Sequence, residues 1–152
     1  MIKIGVDARS LSRPITGVGR YAFDMSRQLA LNPNIELYLY SPAPILPQYR
    51  QPFRDCYIRE FSKPKNGVFR QVWGETVLPY WAKKDDLDVL WGPSHRLPRF
   101  IPKHCKAVVT IHDLVWKFAG DTMKPLSRIL ESVQMPHAVK AASGEVSLCG
   151  VG

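Results

Sequence analysis

The sequence predicts an α/β fold, a Rossmann-like open parallel sheet flanked by helices. Short β-branched runs alternate with stretches of helical periodicity. One run, Ala107-Val108-Val109-Thr110-Ile111, is apolar but for Thr110, as suits a strand covered on both faces. The 152 residues suit a single domain with a real core, and 45% hydrophobic with 22% charged residues is ordinary for a globular protein.

Taken in order, Ile2 to Val6 reads as the first strand, bounded by Asp7. A polar loop with Pro14 (Ser10 to Ile15) leads to Thr16-Gly17-Val18-Gly19-Arg20-Tyr21, which opens a helix from near Val18 to about Leu31. Tyr21, Met25 and Leu29 recur at i, i+4 and i+8 with Ala22 beside them, and Asn32-Pro33-Asn34 stops the helix. Ile35 to Tyr40 is the second strand, giving a βαβ unit with a right-handed crossover. Ser41 to Phe53 holds Pro42, Pro44, Pro47 and Pro52 and reads as an irregular, exposed connection.

Cys56 to Phe61 is a third strand, and Val68 to Lys84 a second helix with Phe69, Val72, Trp73, Thr76, Val77, Tyr80 and Trp81 at helical spacings. Pro79 is expected to kink or interrupt it. Asp88 to Trp91 is the fourth strand, followed by Gly92-Pro93-Ser94-His95 and a loop with Pro98 and Pro102. The fifth strand is Ala107 to Ile111, ending at His112-Asp113. A third helix is expected from about Pro125 to Ala142, with Leu126, Ile129, Leu130 and Val133 on its apolar face and a disturbance at Pro136. Residues 1–142 then form the domain and 143–152 a divergent tail.

In open parallel sheets ligands sit beyond the carboxyl ends of the strands, where the strand order reverses. The Ser10–Gly19 loop and the His112-Asp113 pair both follow such ends, and this shared rim is the main pointer to a site. Backbone N–H groups at Gly17, Val18 and Gly19 could hold a phosphate at the helix start; alternatively the glycines only permit a turn. The first glycine comes ten residues after Asp7, with no third glycine and no acid after the second strand, so this is no dinucleotide fingerprint. No Gly-Lys-Ser/Thr occurs, so it is no Walker loop either. No cofactor is expected.

His112 could hydrogen-bond a substrate hydroxyl or steady developing charge, or it could simply close a strand end. His95 could line the same rim or be an ordinary loop histidine. Arg13 and Arg20 are weaker candidates for anion contact. Asp86-Leu87-Asp88 has the spacing of a metal–diphosphate motif but precedes a strand, so it reads as a solvated turn, and no metal is expected.

The net charge of +8 favours anionic partners, but lysines and arginines are spread along the chain and nucleic acid is not among the expected ones. Phe69 to Lys84 mixes aromatics with cations, as an interfacial membrane helix does, or as a helix with its aromatics turned inward. Cys56, Cys105 and Cys149 are odd in number and lack metal-ligand spacing, which suits reduced thiols in a cytosolic protein. The chain enters a strand directly at its start, with no secretory leader, and the expected location is cytoplasmic, with the inner membrane face as an anionic surface.

Three motifs in register carry a family resemblance: Ile4-Gly5-Val6-Asp7-Ala8-Arg9, Thr16-Gly17-Val18-Gly19-Arg20-Tyr21 and Val109-Thr110-Ile111-His112-Asp113-Leu114. From Met1 to about Ala142 the chain resembles the N-terminal domain of retaining glycosyltransferases of family 4, with the GT-B fold. The resemblance implies two Rossmann-like domains across a cleft, the first holding the acceptor and the second the nucleotide-sugar donor. It implies that Gly17 and Gly19 lie near the donor diphosphate and His112 near the transferred sugar. Val18, Arg20, Asp113 and His95 are further candidate substrate contacts from their places in the same loops. Metal is generally not needed. Where the family continues into an apolar strand and a serine-containing loop, this chain reads Ser143-Gly144-Glu145-Val146-Ser147-Leu148-Cys149-Gly150-Val151-Gly152. The expectation is an incomplete acceptor-side domain, inactive alone, with a saccharide or lipid-linked acceptor and a risk of self-association through uncovered sheet. The alternatives are a binding subunit for a separate donor-domain chain and a basic membrane-associated module.

Overall fold

A computed structural model describes residues 1–63, 66–112 and 147–148. The expected helix from Pro125 to Ala142, Asp113 and most of the tail lie outside the described residues. The strands are β1 (Ile2–Asp7), β2 (Ile35–Ser41), β3 (Tyr57–Glu60), β4 (Val89–Gly92), β5 (Lys106–Ile111) and the two-residue β6 (Ser147–Leu148). All neighbours pair parallel, in the order β3-β2-β1-β4-β5-β6. The helices are α1 (Gly17–Ala30), the single turn α2 (Pro47–Arg50) and α3 (Gly67–Lys84). This is the Rossmann-like α/β sheet that the alternation of strands and helices predicts.

Strand alternation sorts the core into two layers. Val6, Leu37, Leu39 and Trp91 face α1 and the chain after β2, together with Leu11, Ile45 and Phe53. Tyr38, Tyr40 and Leu90 face α3, against Trp73, Leu78, Ala82 and Leu87. Each fully buried aliphatic or aromatic side chain here contributes about 1.5–3 kcal/mol.

Two expectations fail. The proline-rich connection after β2 is not an exposed irregular loop: Ala43, Ile45 and Phe53 are buried, and Pro47 starts α2. Its apolar residues close one layer of the core, and Pro47 sits in the first turn, where a missing N–H costs nothing. α3 is also not interrupted at Pro79. Pro79 removes one backbone bond, while Leu78 and Ala82, both buried, clamp the helix to the sheet on either side. The remaining boundaries shift by a residue or so from those expected.

Three of the four aromatics of α3, Phe69, Trp73 and Trp81, turn inward, and Tyr80 faces out. Trp73 is fully buried, Trp81 packs on Tyr40 and Phe61 at 5.6 and 5.7 Å, and Phe69 meets Phe61 edge-on at 5.3 Å. Of the two described cysteines, both free, Cys105 is buried, which pushes its thiol up to about 11. Among the described residues no helix is long and apolar enough to cross a membrane.

Candidate functional site

β1 lies between β2 and β4, so the chain leaves β1 towards one side of the sheet and later fills the other side from β4 onwards. The carboxyl ends of β1 and β4 are therefore the switch point of the sheet, where the loops after the two strands part. A cleft of about 400 Å³ opens there. Arg9, Ser10, Arg13, Ile15 and Thr16 line it from the loop after β1, Val18 and Gly19 from the start of α1, and Ser94, His95 and Arg96 from the loop after β4.

The wall is built from β1 upwards. Asp7, the last residue of the strand, is buried and forks onto Arg9: its carboxylate accepts Nε at 2.9 Å and Nη2 at 2.6 Å. Arg9 lies over the Trp73 ring at 5.0 Å and is itself 8% exposed. Gly74 makes room for it, because a Cβ there would stand 2.6 Å from Arg9 Nη2. A guanidinium held by a bidentate carboxylate, a ring face and a glycine has little freedom left, so its edge on the cleft is preset.

Arg70 of α3 braces the same loop, donating to the Arg9 carbonyl at 3.0 Å and Ser12 Oγ at 3.1 Å. Both acceptors are neutral. Burial, then repulsion from Arg13 and Arg9, pulls the Arg70 guanidinium below its ordinary pKa; Asp7 opposes this and Arg96 adds to it. Four arginines thus share one rim with a single buried carboxylate, Asp7, among the groups that act on Arg70. Positive potential is concentrated at the cleft.

The start of α1 adds to it. Thr16, the cap residue, is extended but makes no side-chain cap bond, and the first intrahelical bond runs from Arg20 N to the Thr16 carbonyl at 2.7 Å. The N–H groups of Gly17, Val18 and Gly19 precede that bond and have no intrahelical acceptor. A Cβ on Gly17 would meet nothing within 4 Å, whereas one on Gly19 would stand 2.9 Å from Ile15 Cβ. Gly17 leaves the backbone open to a ligand; Gly19 lets the loop pack on the helix. Neither has a positive φ, so neither is there to permit a left-handed turn.

Across the cleft, a Cβ on Gly92 would collide with the Arg96 carbonyl, so glycine lets the loop after β4 fold back. His95 takes a left-handed φ of 46°, and its N–H donates to the Thr110 carbonyl at 3.0 Å. Arg96 Nη1 reaches Gln71 Oε1 at 3.3 Å. His112 follows β5, with Nε2 2.6 Å from the Pro93 carbonyl and its ring edge-on to Tyr21 at 4.9 Å. A carbonyl only accepts, so Nε2 carries a proton in this contact, which leaves Nδ1 as the ring's other nitrogen. Its centroid is 6.3 Å from that of His95.

The structure therefore brings together Val18, Gly19, Arg13 and His95 on the cleft, with Gly17 adjoining in the chain and His112 one ring behind His95. Arg20 is exposed on α1 and does not line the cleft. Asp113 lies outside the described residues. Asp86 and Asp88 sit at the opposite, amino edge of the sheet: Asp86 pairs with His104 at 3.0 Å, and Asp88 Oδ2 accepts Lys3 N–H at 2.8 Å. Sequence reasoning missed Arg9, Ser94 and Arg96 as cleft residues. The Asp-x-Arg spacing at the end of β1 was the available signal for Arg9; nothing local marks Arg96.

Fold and cleft together define a Rossmann-like α/β domain with a cation-lined pocket at its switch point. Compared with family models, curated proteins and solved structures, the chain matches none.

Proposed function

We propose that this chain is the acceptor-side domain of a retaining glycosyltransferase, moving a sugar from a nucleotide-sugar donor to an anionic, lipid-linked or saccharide acceptor. The observation that supports this most is the cleft itself, where the open start of α1 meets Arg9, Arg13 and Arg96 at the switch point. Sugar transfer from a nucleotide sugar builds negative charge on the departing diphosphate. Fixed N–H groups and a held guanidinium stabilise such charge without reorganising. In this reading Gly17 to Gly19 face the diphosphate, and His112, its ring fixed by Pro93 and Tyr21, offers Nδ1 to a sugar hydroxyl. The nucleotide is held by a second domain of the kind found in the resembled family, and the work is done in the cytoplasm, at the inner membrane face when the acceptor is lipid-linked.

Titration of the ¹⁵N-labelled chain with UDP-glucose, UDP-N-acetylglucosamine and GDP-mannose, with glucose as the neutral control, tests the reading. Millimolar binding, worth about 4 kcal/mol, is expected to shift the amides of Gly17, Val18 and Gly19 and to spare that of Gly67 at the start of α3. Absence of shifts with all three nucleotide sugars, or shifts confined to other surfaces, overturns it. The 152-residue chain alone is expected to transfer no sugar; turnover by it would place the donor site in this domain.

A further inference from the structure

α3 has an outer face that its role in the core does not explain. Its inner face is complete, with Trp73, Leu78 and Ala82 packed on the sheet. A helix on a globular surface is normally polar on the opposite side. Here Val68, Val72, Thr76 and Tyr80 follow one another at i, i+4, i+8 and i+12, and Val68, Val72 and Tyr80 are 74%, 52% and 60% exposed. Thr76 directs its hydroxyl to the Val72 carbonyl at 2.7 Å, so its one polar group is satisfied without water.

The loop after β4 runs beside this stripe. Arg99 N–H donates to Glu75 Oε2 at 3.0 Å, and the next residue, Phe100, is 80% exposed, more than any other aromatic among the described residues. Exposed cations adjoin both: Lys83 lies three residues beyond Tyr80 on the same helix face, Arg99 directly precedes Phe100, and Lys63, Lys84 and Lys103 are exposed nearby in the chain. The nearby acids are engaged. Glu75 holds the Arg99 amide, Asp85 turns inward to Tyr40 and Arg59, and Asp86 pairs with His104.

We infer that the outer face of α3, with Phe100, is a docking surface for an anionic lipid bilayer. An apolar stripe rimmed by lysine and arginine matches the boundary between acyl chains and negative headgroups: the stripe gains by burial, and the rim by attraction to the surface. Charge complementarity is what selects a bilayer over a second copy of this chain, which would bring the same Lys83 and Arg99 cations and the same +8 net charge and would repel. The docking stands without the transferase reading.

The test is co-sedimentation of the full chain with phosphatidylcholine vesicles, with and without phosphatidylglycerol. Binding is expected with the anionic vesicles, falling at least about tenfold between about 0.1 and 0.5 M salt. Phe100→Glu, Val72→Glu and the pair Lys83→Glu/Lys84→Glu are each expected to weaken it by about tenfold or more. Leu31→Glu, equally exposed (73%) at the end of α1, is expected to leave it unchanged. Circular dichroism of every variant should match the parent, since all substitutions are on the surface. No binding to anionic vesicles, binding unaffected by Phe100→Glu and Val72→Glu, or a dimer in sedimentation equilibrium that Val72→Glu dissociates would each overturn the inference.

Discussion

The two long helices begin in opposite ways. α3 is closed by its own chain: Asn66 Oδ1 accepts the Phe69 amide at 2.8 Å. α1 is left open, with Thr16 in the cap position making no side-chain bond and a cleft in front of Gly17, Val18 and Gly19. The unpaired N–H groups and the positive dipole end are the same at both starts. At α1 the guanidinium groups of Arg9, Arg13 and Arg96 line the cleft in front of them, against the local electrostatics. Glycines alone do not mark the site, since Gly67 also begins a helix with open space about its α-carbon. What marks α1 is a local rule left unsatisfied where positive charge accumulates.

α3 in turn serves as a wall, and the largest expected effect tests that. Trp73→Ala removes a fully buried indole and the ring under Arg9, so a loss of about 3–5 kcal/mol is expected in urea unfolding. A loss below about 1 kcal/mol would mean that α3 is not the support of the cleft.

The C-terminal end of α3 comes next. Asp85, just after the helix, accepts Tyr40 Oη at 2.7 Å and two bonds from Arg59, Nε at 2.7 Å and Nη2. Burial pushes its carboxyl up, but the hydrogen bonds from Arg59 and Tyr40 and the charges of Arg59 and Lys84 outweigh this and hold its pKa below the ordinary value. A depressed carboxyl stabilises the fold above its unfolded pKa, near 4, and that contribution is lost as pH falls through the lower folded value. Because Arg59 is partly exposed, Asp85→Asn is expected to cost about 1–3 kcal/mol at neutral pH. The cost should shrink below about pH 4. Unfolding midpoints of parent and variant across this range check it, and an unchanged gap at pH 3 and pH 7 would remove Asp85 as the source.

The smallest effect sharpens the comparison most directly. Asn66→Ala should cost about 0.5–2 kcal/mol through loss of the cap, and Thr16→Ala less than about 0.5 kcal/mol. Equal costs would show that Thr16 caps α1 in solution and that its N–H groups are not open.

Much of this was legible beforehand because it rests on local rules. The β-branched runs and the Tyr21, Met25, Leu29 stripe place strands and α1 within a residue or so, and the chain order makes the sheet parallel. The failures are places where tertiary contacts outweigh propensity. Pro79 does not break α3, because Leu78 and Ala82 are buried on either side, and the prolines after β2 do not make an exposed loop, because Ile45 and Phe53 are needed in the core. His112 could be singled out because it ends a strand, though it stands behind His95 and does not line the cleft. Arg96 was not, since only the fold of the loop after β4, permitted by Gly92, brings it to the cleft.

By itself, then, the sequence determined the alternation of strands and helices, and with it a parallel sheet whose carboxyl-end rim carries the Gly17–Gly19 segment and His112. Periodicity and glycine placement are properties of neighbours in the chain, and the chain displays them directly. Only the tertiary structure decided which cations face that rim, that Arg9 is clamped between Asp7, Trp73 and Gly74, and that α3 keeps an apolar outer stripe. Those depend on residues more than 60 positions apart meeting in space, such as Arg9 and Arg70, and no local pattern records such meetings.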